Sequence, residues 1–502
     1  MNSVQVVPRD INNIEKAIHK TGFGLYSKFA IILTGLCSFS ESLILTTFFL
    51  SIPLMACDLP LSENMMISIG VVYSIGESVG SFVFLSVSDI FGKKPLIPVL
   101  CALIFASTLA SSFVHSYLFL SFFTLFLGSS LSTNTIVMRV NLAESLSKRR
   151  RGVVLTLLDL WWSCGYIVSV VGVWSFTPLA IKFYSKDARF FTWRIMIAIS
   201  SVLSIIIGCI SGLLKPSVRY LLYCKKNRDA LSVLKEIYAI NTSKNSEDFD
   251  INEINLNQQI TDYGIYRNMP MRIYMEHACA LMKTVYRGLE ILVGKQFIFR
   301  LLTLSYMKTV TFGGIFITHL WIYKVISQTH GCQLTKTDMI SLENFTATGD
   351  CNVNLKSAVF RDFLLLIPNI ILGQIFAIFL IDRIKRKYLI AVSYIISGSC
   401  NLAIGFTNNH LFIKIGLGSI YLISSSFGDS IINVAIIEMF PTALRGTAMG
   451  EIQFITKIVL AFIKRYLDLP CNTFMIMAGV FMEVAAVLAF FLPEFKGKPM
   501  ME

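Results

Sequence analysis

Six ionisable side chains stand where few are tolerated: Glu41, Glu77, Asp159, Lys308, Asp429 and Lys457 each interrupt a long apolar run. At a bilayer centre an ionised group costs about 2.5 to 3.5 kcal/mol on insertion scales, so such groups face a partner or a wet cavity. The chemistry they offer is recognition of a charged or polar solute, not bond making. Glu41, Asp159, Asp429 and Lys457 are candidate solute contacts. On a second reading, Asp429 only neutralises Lys457, while Lys308 and Lys457 extend toward an interface. Trp162 and Trp321 are candidate stacking surfaces for an organic ligand, against the alternative of interfacial anchors. Trp161 is a weaker candidate of the same kind, and His319 is more ordinarily a satisfied core residue. The six histidines are scattered, no metal-ligand spacing occurs, and no glycine-rich phosphate loop with its lysine is present. No catalysis, metal or cofactor is expected.

A second set of charges lies at the ends of the apolar runs, and it occurs twice. "NLAESLSKRRRG" at 141–152 returns as "AIIEMFPTALRG" at 435–446, with Glu144 and Glu438 standing 294 positions apart. "DIFGKK", opened by Asp89, returns as "DRIKRK", opened by Asp382, 293 positions on. Two landmarks sharing one offset indicate parallel duplicated halves, which can rock about a central site. An acid at a helix end beside cations can form charge-assisted bonds to a neighbouring loop or helix N-terminus. The candidate latch comprises Asp89, Lys93, Lys94, Glu144, Arg151, Asp382, Arg383, Glu438 and Arg445. Taken singly, Lys93, Lys385 and Lys387 are more safely read as topology anchors.

These residues need helices in a membrane to position them. With 54% hydrophobic and 15% charged residues, the 502-residue chain is too apolar for a water-soluble protein. Twelve spans are expected, near 29–51, 65–87, 95–114, 117–138, 153–176, 193–214, 301–323, 363–381, 388–407, 412–437, 447–466 and 472–492. The chain then divides into an N-terminal segment 1–28, a bundle 29–214, a central loop 215–298, a bundle 299–492 and a tail 493–502. Basic clusters at Lys93–Lys94, Lys148–Arg151 and Arg383–Lys387 put both termini in the cytosol. Lys182, Lys186 and Arg189, and Lys464 with Arg465, run against that pattern. The +13 formal charge sits in these short clusters, which excludes nucleic acid as the expected partner. No cleaved signal peptide is visible in the first 28 residues.

In the central loop, "DALSVLKEIYAI" spaces Leu231, Leu234, Ile237 and Tyr238 as one helical face, to lie on the bundle or membrane or to serve as a solvated linker. The connection 324–357 is the largest external loop. It carries Cys332, Cys351 and the acceptor sequence Asn344-Phe345-Thr346, so a glycan at Asn344 and a Cys332–Cys351 disulfide are candidates. Most of the eleven cysteines lie in apolar runs as packing residues.

Asp89–Lys94, "EMFPTALRG", "LPEFKG" at 492–497, "FTWR" at 191–194 and "KPSVRYLLYCKKNRDALSVLKEI" at 215–237 together resemble signatures of the major facilitator superfamily, near its sugar and organic-ion branches. Within it, "GLCSFSESLI", "SLSKRRRG" with "LWWSCGYI", and "MGEIQFITKI" are most similar to synaptic vesicle glycoprotein 2 and related vesicle proteins. The resemblance implies an all-α membrane protein, the major facilitator fold, with 12 transmembrane helices as two six-helix bundles. It also implies alternating-access movement of a small organic solute, in a vesicle or plasma membrane, by a monomer embedded in the lipid bilayer. A coupling ion stays an open partner. The chain departs from the pattern at Leu85, where glycine is usual, and at Ile90, Ser147 and Lys385. Thr124 stands where many proton-coupled members carry arginine, which argues against coupling by that route. Around Arg219 the usual glutamate and both prolines are missing. A glycoprotein that keeps the fold for trafficking or partner binding without transport is the alternative.

Overall fold

The computed structural model describes residues 8–59, 61–176, 182–185, 188–251, 278–295, 297–326, 333–334, 357–407, 411–466 and 469–494. Six long helices form the first half: α2 (Leu25–Asp58), α3 (Glu63–Phe91), α4 (Lys93–Phe113), α5 (Tyr117–Ser145), α6 (Arg151–Phe176) and α7 (Thr192–Ser211). Six more form the second: α11 (Ile298–Ile326), α12 (Ser357–Leu380), α13 (Arg386–Phe406), α14 (Leu411–Met439), α15 (Arg445–Tyr466) and α16 (Cys471–Phe490). Each coincides with one expected span. Among the described residues, ten are long and apolar enough to cross a membrane, and α12 holds a shorter apolar stretch, Leu366–Leu380. Leu118, Phe119, Phe122, Ile199, Phe376 and Val487 are exposed on the outer faces, an apolar belt that water would not tolerate and lipid does.

Within each bundle the helices pair in the same way, α3 with α5 and α2 with α6 in the first, α12 with α14 in the second. The bundles meet along α3 against α15 and α6 against α12, two contacts related by the duplication. Many helix serines and threonines donate back to the carbonyl three or four residues earlier, as Thr34, Ser107, Thr124 and Ser397 do. A hydroxyl satisfied this way crosses an apolar region at low cost.

Shorter elements gather at one end. There α1 (Pro8–Lys20), α8 (Val218–Tyr223), α9 (Asn227–Thr242) and α10 (Ala278–Val293) sit beside the helix ends that carry the repeated motifs. The expected amphipathic helix is α9, and its apolar face packs on neighbouring helices, not as a solvated linker. Its Ala230, Val233, Leu234 and Ile237 are buried against Ile14, Ala17 and Ile18 of α1 and Val218, Leu221 and Leu222 of α8. At the opposite end two strands, β1 (Lys182–Ser185) and β2 (Ala188–Phe191), pair antiparallel. A second short pair joins β3 (Gln333–Leu334) to β4 (Leu469–Pro470).

Candidate functional site

The first half of the candidate latch starts at a turn of one residue. Gly92, at φ 92°, ends α3 and begins α4, and a Cβ there would lie 2.9 Å from the Tyr220 ring. Tyr220 donates its hydroxyl to the Ile90 carbonyl at 2.9 Å, so the turn is fastened to α8. The turn aims Asp89 across to the other bundle. Asp89 Oδ2 accepts the backbone N–H of Thr447 at 2.8 Å and its hydroxyl at 3.1 Å. That N–H lies in the first turn of α15, where helix donors lack intrahelical partners and the dipole favours an anion. Gly446 permits the approach, because a Cβ would come within 2.6 Å of the Leu85 carbonyl and 2.8 Å of the Asp89 carboxylate. Beside it Glu144 accepts Arg445 Nη1 at 2.6 Å and pairs with Lys93 at 3.1 Å. Lys93 also reaches Asp89 at 3.8 Å.

The second latch repeats the arrangement with the bundles exchanged. A Cβ on Gly152 would stand 2.6 Å from Asp382 Oδ1 and 3.0 Å from Arg386 Nη2. Glu438 pairs with Arg386 and, at 3.8 Å, with Arg151. Arg386 occupies the place of Lys93, 293 positions on, so the repeat itself was the signal that could have found it. The expected Arg383 is exposed and Lys94 only half-buried, and neither joins an ion pair among the described residues. Glu494 of the "LPEFKG" segment accepts the N–H groups of Arg386 and Lys387, each at 3.4 Å, and so caps α13.

Two residues of this set, Glu15 and Arg219, come from outside both bundles. Glu15 of α1 accepts Arg151 Nη2 at 3.0 Å and Arg219 Nη2 at 2.6 Å. Burial pushes its carboxyl upward, but Arg219 and Arg151 outweigh that and hold it below the ordinary 4.5. Sequence reasoning missed Glu15, although Ile14 and Ile18 in "NIEKAIHK" give the helical spacing that docks it.

Midway along the bundles the charges interrupting the apolar runs meet. Arg139 Nη1 donates to Asp159 Oδ1 at 2.6 Å and Nη2 to Ser38 at 3.3 Å, joining α5, α6 and α2. Lys457 of α15 donates to Glu77 of α3 at 3.0 Å, across the interface. Lys308 donates to Asp429, whose second oxygen accepts Asn433 Nδ2 at 3.2 Å. Lys308 and Lys457 both lie over the Phe312 ring, 4.6 and 4.7 Å from its centroid. Glu41 is within electrostatic range of Arg139, Lys457 and Glu77, and Arg139 within range of Asp429. Asp429 therefore neutralises Lys308, and Glu77 is the acid that neutralises Lys457. Glu41 lies on a cleft also lined by Cys37, Ser40, Asn134, Thr135 and Ser204. Arg139 was not expected: it fell just past the assumed end of span 4 near 138, whereas α5 runs to Ser145.

Lys464, which broke the charge pattern, points inward and donates to Ser74 of α3 at 2.8 Å. At that end Arg194 of "FTWR" holds Asp58 at 2.6 Å and the Ser112 carbonyl at 2.8 Å, bracing α7, α2 and α4. Trp162 stacks on Tyr166 with centroids 6.0 Å apart, and Trp161 packs against Gly35. Trp321 and His319 lie on α11, but their side chains fall outside the described residues, as do Cys332, Asn344 and Cys351.

A family model described as Major Facilitator Superfamily matches residues 34–461. Synaptic vesicle glycoprotein 2B of Mus musculus is 23% identical over 229 residues, covering 45% of this chain and 34% of that protein. Synaptic vesicle glycoprotein 2C of Homo sapiens is 22% identical over 258 residues, covering 49% and 35%. The match thus spans about a third of the length of these relatives. Among solved structures, the proton:xylose symporter XylE bound to 6-bromo-6-deoxy-D-glucose superposes with a TM-score of 0.69 at 16% identity, covering 95% of this chain and 98% of that one. The inward open form of XylE from E. coli gives 0.56 at 13% identity, covering 94% and 98%.

Proposed function

The chain belongs to the Major Facilitator Superfamily, and from that premise we propose that it carries a small organic solute across a membrane by alternating access. The observation that carries this reading is the line of charged side chains at mid-depth, Asp159, Arg139, Glu41, Glu77, Lys457, Lys308 and Asp429, which runs through both bundles. Exchange of partners within such a line connects solute binding to bundle movement, because Glu77–Lys457 crosses the interface and must part when the bundles tilt. Among the described residues Glu41 makes no ion pair, and neither Arg139 Nε nor Asp159 Oδ2 has a hydrogen-bond partner. These groups retain capacity for a polar or ionic solute. Trp162 and Trp321 complete the proposed site as aromatic surfaces, and XylE, a proton:xylose symporter by name, is a precedent for a coupling ion.

The latch end faces the cytosol in this proposal, with both termini there, as its basic clusters favour. The vesicle names of the relatives support a vesicle membrane. The loop 324–357 then lies on the far side, where a glycan on Asn344 and a Cys332–Cys351 bond are allowed. We propose a monomer.

Purified protein in proteoliposomes, screened against a broad mixture of metabolites, should accumulate or exchange at least one solute. The Glu41→Gln, Asp159→Asn double variant should lower that flux at least tenfold. If the wild type moves no more than the double variant for every compound, transport loses its support. The second reading, a scaffold without transport, is favoured by one feature: α3 and α15 touch from Asp89–Thr447 at one end to Ser74–Lys464 at the other.

A further inference from the structure

The helix α1 belongs to neither bundle, yet it supplies a carboxylate to the latch. Glu15 is 5% exposed and is shared by two guanidinium groups, Arg151 at the start of α6 and Arg219 in α8. Arg151 is also the residue that reaches Glu438 of the other bundle. The geometry is a fork. One edge of the Arg151 guanidinium is held by Glu15 and the Leu146 carbonyl, 3.2 Å away, and the other faces Glu438. Fixing a guanidinium on one side presents it in a single orientation to the carboxylate on the other. Without Glu15, Arg151 and Arg219 lose the carboxylate they share.

The attachment of α1 is small. Ile14, Ala17 and Ile18 are buried on α8 and α9. On either side of Gly22, Asn241 of α9 donates to the Thr21 carbonyl at 3.2 Å and accepts the Ser27 N–H at 3.2 Å. A helix of 13 residues is marginal alone in water, so its order depends on this docking. We propose that α1 is a detachable clamp on the latch end: seated, it orients Arg151 toward Glu438 and holds the bundles closed there, and its release lets the two part. The inference rests on reading that end as an alternating gate.

The test uses the full chain in nanodiscs, with donor and acceptor dyes attached through encoded click handles at Arg149 and Lys385. Both positions are exposed, one in each bundle's loop, and outside the ion pairs. Single-molecule energy transfer should find the wild type mostly in one short-distance state. Glu15→Gln, which removes the charge, and Ile14→Asp, which undocks the helix while leaving Glu15 in place, should each raise the separated fraction at least threefold. Glu15→Asp should return it toward the wild type. Arg445→Gln, in the other latch, reports on the gate itself. If Arg445→Gln widens the distance while Glu15→Gln and Ile14→Asp match the wild type, the gate stands and the clamp is overturned. If no variant changes the distance, both readings fall. Should Ile14→Asp not fold, Glu15→Gln decides alone, and a lowered melting temperature with unchanged distances counts against the clamp.

Discussion

The two latches descend from one motif and differ in how dry they are. In the first, Glu144 and Arg445 side chains are 0% exposed and Asp89 is 4% exposed. In the second, Asp382 is 33% exposed and Arg151 stands 3.8 Å from Glu438. The first holds its charges wholly inside the protein, whereas in the second one acid, Asp382, reaches water while Arg151, Arg386 and Glu438 stay buried, and Glu15 and Arg219 join as extra buried members. Desolvated charges are held strongly but need every partner in place, while charges at a wet edge exchange partners at lower cost. On the proposed gate, the duplication leaves one set with every charge buried and one with an acid in reach of water, and α1 docks on the latter.

The largest expected effect separates them by arginine removal. Arg445→Ala leaves two buried carboxylates, Glu144 and Asp89, with Lys93 as the remaining cation between them. Breaking such a buried set costs about 3 to 5 kcal/mol. Arg151→Ala leaves each acid a guanidinium of its own, Glu438 with Arg386 and Glu15 with Arg219. Its cost should be about half as large. Chemical denaturation of the purified variants checks the order, and equal losses would mean that the two sites are not different in kind.

Next in size is the pH response of the second latch. The Glu15 carboxyl lies below its ordinary 4.5 when folded, so its contribution is complete above that value and is lost as pH falls through the lowered one. The groups that face it are Arg151 and Arg219, both cationic throughout this range. The gap in unfolding free energy between wild type and Glu15→Gln should stay constant from about pH 7 to pH 5, then shrink on further acidification. A gap that already narrows near pH 6 would place another group in control.

Much of this was legible in the sequence because membrane helices announce themselves by length and hydropathy, and because a duplication repeats its landmarks at one offset. The twelve helices, and the grouping of Asp89, Glu144 and Arg445 at the helix ends, follow from those two regularities, whereas Thr447 and the pairing of Glu144 with Arg445 do not. Three residues did not. Arg139 was lost because a hydropathy window ends where polarity begins, while a helix continues as long as its polar face has partners, here Asp159 and Ser38. Glu15 was lost because a carboxylate in a short amphipathic helix carries no mark of the distant arginines it will meet. Lys464 was misread for the opposite reason: the positive-inside rule counts loop charges, and this lysine turns inward to Ser74. Pairings such as Lys308 with Asp429 and Glu77 with Lys457 depend on helix rotation, which spacing along the chain does not fix.

The smallest effect gives the sharpest comparison, because it converts one latch toward the other by one atom group. Asp89 holds α15 by two donors of Thr447, its N–H and its hydroxyl. The equivalent place in the second latch, 294 positions earlier, is Val153, which has no hydroxyl to offer. Thr447→Val keeps the shape and the backbone donor while deleting the hydroxyl, so Asp89 Oδ2 loses one of its two bonds in a dry site. A loss of about 1 to 2 kcal/mol is expected, the value of a hydrogen bond to a charged acceptor less what the remaining N–H and Lys93 recover. Val153→Thr beside the wetter Asp382 should gain less than half of that, since water competes for a carboxylate that is one-third exposed. If the two exchanges prove equal and opposite, dryness is not what distinguishes the latches, and the asymmetry must come from the docked helix alone.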